Sequence, residues 1–119
     1  MKNKTLAIFG IGTYILQVIT SVEDLEGNYL SPLFLIAISG ILTIIFTAMA
    51  TIRLWKEVKY ISIILASSAL ILFVSTIVQE IALPPYGSPI IILVNVTKVI
   101  HFIAFVWAVI TIYRSKINL

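Results

Sequence analysis

The chain has 119 residues, 61% of them hydrophobic and 11% charged, with a formal net charge of +3 and a mean hydropathy of +1.14. This excludes an ordinary water-soluble domain, which at this length would leave most of its apolar surface facing solvent. The positive charge is too small and too dispersed to track a phosphate backbone, so nucleic acid is not an expected partner, and the lipid bilayer is.

A membrane-spanning helix needs about 20 mainly apolar residues to cross a hydrocarbon core of roughly 30 Å. Four runs approach or exceed that length. The first covers about 5–22 and follows Lys2 and Lys4, as the core of a signal peptide would. Ser21-Val22-Glu23-Asp24 is a poor cleavage site, however, and removing this run would leave an odd number of spans, so it reads as a span. The loop after it carries Glu23, Asp24 and Glu26 with no Lys or Arg. Their alternate spacing suggests a cation site, but a short solvated loop also accounts for it.

The second run, about 32–52, opens at Ser31-Pro32, which offers a capping hydroxyl before a proline at the first helical position. It closes on Arg53-Leu54-Trp55-Lys56-Glu57-Val58-Lys59-Tyr60, whose Arg53, Lys56 and Lys59 can attract anionic lipid. The third run covers about 60–79 and ends at Gln79 and Glu80. The turn-rich segment 82–89 follows, and a second capping pair, Ser88-Pro89, opens the fourth run, about 89–113. The expected fold is an all-α integral membrane four-helix bundle, a single domain over residues 1–119.

A weak repeat crosses this layout. Tyr29-Leu30-Ser31-Pro32 recurs as Tyr86-Gly87-Ser88-Pro89, and the same offset pairs Lys2 with Lys59, Glu23 with Glu80, and Gly12 with Ala69. Two tandem helical hairpins, related by an axis along the membrane normal, would produce it. So would any two outer loops that feed helices with aromatic, Ser and Pro residues.

Charge sets the orientation. Lys2, Lys4, Arg53, Lys56, Lys59, Arg114 and Lys116 would all fall on one side of a four-span chain, and the other side carries only acidic loop residues. By the positive-inside rule both termini and the middle loop are cytoplasmic, in what is expected to be a prokaryotic cell membrane. Trp55, Tyr60 and Tyr113 then mark the inner boundary, and Tyr29 and Tyr86 the outer one.

Polar residues inside the runs are the candidate functional groups. In the fourth run Asn95, Lys98 and His101 recur at intervals of three and so share a broad helix face. At 1.5 Å per residue Lys98 lies roughly 13 Å below the outer end, farther than its stem can snorkel. Its ammonium is expected to face protein, water or a counter-charge, with Glu80 or a bound anion as partner in a polar pocket floored by His101. A structural Lys–Glu clamp between the third and fourth helices explains the same residues. Gln17, with Thr13 and Thr20, is the candidate lining from the first run. The remaining Ser and Thr stripes, Ser39, Thr43 and Thr47 and then Ser68, Ser75 and Thr76, read as helix-packing positions.

His101 is the only histidine and there is no cysteine, so no metal set and no bis-histidine haem ligation fits within one chain, and no cofactor is expected. A haem shared between subunits and a proton relay through His101 and Lys98 are the remaining chemical uses of these two groups. No nucleophile elbow, zinc-binding helix motif, phosphate loop or dinucleotide fingerprint occurs, so the chain is not expected to be an enzyme. Length and span number are similar to those of small multidrug transporters. Those carry a glutamate in the middle of the first helix, where this chain has Thr13, Tyr14 and Gln17, so membership does not follow.

Two function classes remain. One is a non-catalytic bundle that associates with itself or with a larger membrane protein. The other is a small transporter or ligand-binding protein with a pocket around Lys98, Glu80 and His101.

Overall fold

The computed structural model describes residues 2–26, 28–82 and 87–115. Among them it forms four helices: α1 (Asn3–Thr20), α2 (Leu33–Trp55), α3 (Lys59–Ala82) and α4 (Pro89–Arg114). Each coincides with one apolar run, because a chain surrounded by lipid must satisfy its backbone N–H and C=O groups internally. The last three are long and apolar enough to cross a membrane. α1 is not among those three: its 18 residues amount to about 27 Å of helix, and Asn3, Lys4 and Gln17 dilute its apolar stretch.

Helix starts differ from expectation in two details. Pro89 does occupy the first position of α4, but the Ser88 hydroxyl is buried without a hydrogen-bond partner. Ser88 caps through its carbonyl, which accepts from the N–H groups of Ile91 and Ile92 at 3.1 and 3.2 Å. At α2 the register is one residue later. Pro32 lies outside the helix, and its carbonyl accepts from Leu35 and Ile36. At both starts the first helical bonds run to a backbone carbonyl, that of Pro32 at α2 and that of Ser88 at α4, and neither serine hydroxyl caps its helix.

The chain divides into two compact units, one comprising residues 1–50 and 109–119, the other residues 51–108. In the first unit, α1 turns Leu6, Ala7, Gly10, Thr13 and Thr20 inward. That spacing of three, four and seven is one stripe of a helix. Phe46 of α2 is fully buried against this stripe, with its ring also 6.3 Å from that of Phe9. The start of α1 meets the end of α4: the Asn3 side-chain amide donates to the Ser115 carbonyl at 3.5 Å, and Lys4 Nζ lies 5.6 Å from the centre of the Tyr113 ring. The connection between α1 and α2 is a small hairpin, with a bridge between Glu23 and Tyr29. The Asp24 carboxylate fastens it, accepting from the N–H groups of Glu26 and Asn28 at 2.8 and 2.9 Å.

In the second unit, the last turn of α2 is joined to the first turn of α3 by Ser62, whose hydroxyl donates to the Thr51 carbonyl at 2.7 Å. Leu54, Ile61 and Leu65 are buried around that junction. Tyr60 at the start of α3 meets Trp107 near the end of α4 edge to face, ring centres 5.7 Å apart. α3 and α4 are therefore antiparallel. Arg53 departs from the expected exposed basic loop. It lies inside the last turn of α2, is 9% exposed and is engaged with a partner, and its charge complements the carbonyl end of that helix. Lys56 and Lys59 are exposed, and Lys59 Nζ sits 4.8 Å from the Trp55 ring centre.

The expected inner-boundary aromatics Trp55, Tyr60 and Tyr113 are all about half exposed, as is Tyr29. Tyr86 and Lys116 lie outside the described residues. The two halves of the sequence repeat differ locally. Glu23 lies in the hairpin and Glu80 in α3, and Gly87 adopts φ +82°, a left-handed conformation that Leu30 at the matching position would resist.

Candidate functional site

The candidate residues lie mainly on α4, whose buried positions are Val94, Thr97, Ala104, Phe105, Ala108, Val109 and Ile112. Intervals of three and four mark this stripe as the side that packs against the rest of the chain. His101 falls inside the stripe. It is half buried, with its ring centre 6.5 Å from that of Phe105. Lys98 follows Thr97 by one residue and lies on the flank, and both Lys98 and Asn95 are exposed.

Glu80 stands in the last turn of α3 and is also exposed. Gln17 is exposed on α1, in the other unit. Among the described residues, no hydrogen bond or ion pair engages the side chain of Lys98, Glu80, Asn95 or Gln17. One copy of the chain thus leaves its mid-helix cation at the surface and does not close the expected Lys98–Glu80 pair. The shelter anticipated from the sequence is not supplied by the neighbouring helices of the same unit.

The small hydroxyl residues behave as packing elements. Thr13 donates to the Gly10 carbonyl, Thr43 to Ser39, Ser68 to Leu65, Ser75 to Ile71 and Thr97 to Leu93, all at 2.6–3.1 Å and all within their own helices. A hydroxyl bonded to a carbonyl three or four residues back presents little polarity to a neighbour, so these residues let helices approach without forming a polar site. Ser62 is the exception, since it reaches another helix.

Of the acidic trio, Asp24 has a local use: its carboxylate accepts from the hairpin backbone, and no group of three or more His, Cys, Asp or Glu among the described residues is placed to hold a metal ion.

Comparison with protein families, with curated proteins and with solved structures gives no match.

Proposed function

We propose that the protein is a small, non-catalytic, four-span membrane protein that acts as a self-associating or accessory helix-bundle subunit. The observation that carries this reading is the surface the chain leaves uncovered. Only 17–28% of each of the three long apolar spans is buried within one copy, and an ionisable side chain, Lys98, lies exposed midway along α4. Lipid covers the apolar faces without cost, but an ammonium near the bilayer midplane is expensive unless something polar meets it.

α1 serves as the fourth span in this reading. Its start lies beside the end of α4, and its Gly10 meets Phe46 of α2 within the same unit. A helix somewhat shorter than the hydrocarbon core is accommodated by local thinning and by Lys2 and Lys4 extending to the headgroups. The positive-inside bias of the Lys and Arg residues supports a cytoplasmic location for both termini in this reading.

The experiment is native mass spectrometry of protein released in mild detergent. The reading predicts a dimer or higher assembly, or a complex with a larger membrane protein. A monomer with nothing bound contradicts it.

A further inference from the structure

The polar residues that one copy leaves unmatched are complementary to each other. Lys98 on α4 and Glu80 on α3 belong to the same unit, carry opposite charge, are both exposed, and do not pair. The two helices are antiparallel. Lys98 is ten residues into α4 and Glu80 is two residues short of the end of α3, so along the membrane normal they differ by roughly 10 Å.

Side chains on a helix lean toward its N-terminus. Lys98 therefore leans toward the outer end of α4, and Glu80 leans inward, away from the end of α3. The two tilts converge in depth, and the long lysine stem spans much of the remainder.

We infer that the α3–α4 face is a homodimer interface in which Lys98 of each copy pairs with Glu80 of the other, with Asn95 beside the pair. The proposal rests on the self-association reading above and names its surface. A two-fold axis along the membrane normal makes such a contact isologous: if Lys98 meets Glu80, then Glu80 meets Lys98, and both pairs form together. It also keeps each residue at its own depth, as a bilayer requires. The pairing removes the cation from acyl chains by supplying the carboxylate that the same chain holds in the wrong place to supply itself.

The test uses the absence of cysteine from the chain. Ser21→Cys, at the exposed end of α1, carries donor or acceptor dye, and energy transfer is followed against protein-to-lipid ratio in phosphatidylcholine–phosphatidylglycerol vesicles. In Lys98→Glu two carboxylates would face each other, and in Glu80→Lys two ammonium groups, so each alone should dimerise much more weakly. Mixed, these variants restore both opposite-charge pairs and should form the heterodimer in preference to either homodimer. Lys98→Met, which inserts readily even if Lys98→Glu does not, should weaken dimerisation about tenfold, since two polar contacts are lost per dimer.

Wild-type affinity in Lys98→Met and Glu80→Gln, or no preference for the mixed pair, overturns the pairing while self-association stands. A wild type that stays monomeric at every ratio overturns both.

Discussion

The ring of Phe46 rests on Gly10, so close that a Cβ on that glycine would overlap the ring's Cε2 and Cζ atoms. Phe46 is completely buried, and it can lie there only because the α1 backbone is bare at that point. Between membrane helices such contact matters more than apolarity, because lipid tails are as apolar as any side chain and only close packing distinguishes the partner. Gly10→Ala should therefore destabilise the protein by about 1–3 kcal/mol through overpacking. Combining it with Phe46→Leu should recover part of that loss. Unfolding in mixed micelles, read by circular dichroism, measures both, and a neutral Gly10→Ala would show that the two helices do not meet there.

Two hydroxyls separate contacts within a helix from contacts between helices. Ser62 donates to a carbonyl of the preceding helix, and Thr97 to a carbonyl of its own. Ser62→Ala should cost about 0.5–1.5 kcal/mol, the usual net worth of a hydrogen bond, and Thr97→Val should be close to neutral. Equal effects in the same unfolding assay would contradict the assignment.

Asp24 tests whether the acidic loop is a hairpin fastening or a cation site. Its carboxylate oxygen receives two backbone N–H groups, a task the Asn side chain performs equally well. Asp24→Asn should preserve slow amide exchange at Glu26 and Asn28, and Asp24→Ala should speed it severalfold. Loss of protection in Asp24→Asn would mean that charge, not hydrogen bonding, holds the loop.

His101 is expected to act as a packing residue against Phe105. His101→Phe should leave both stability and self-association close to wild type, in contrast to Lys98→Met. A marked loss of assembly in His101→Phe would return this ring to the functional set.

Much of the layout was legible because backbone satisfaction in lipid leaves few choices. Long apolar runs became α2, α3 and α4, and turn residues such as Pro89 set their limits. Capping was not legible in detail, since a serine before a proline offers either its hydroxyl or its carbonyl, and Ser88 uses the latter. The surroundings of Lys98 were the least legible. α4 is almost equally apolar all round, so no periodicity tells which side meets protein. A spacing of three residues placed Asn95, Lys98 and His101 on one face, but that face is wide enough for His101 to fall inside the packed stripe while the other two fall outside it. The burial of Arg53 was hidden for a related reason: α2 continues through Arg53 to Trp55, past the point where apolarity lapses.

Whether α1 spans the bilayer decides the most, because four spans and two cytoplasmic ends both follow from it. Single cysteines at Lys2, Ser21, Lys56 and Ser115, in a chain with none of its own, can be labelled with a membrane-impermeant maleimide in intact cells. The account predicts that only Ser21→Cys reacts from outside, and that the other three react once the membrane is opened. Labelling of Lys2→Cys in intact cells would contradict it.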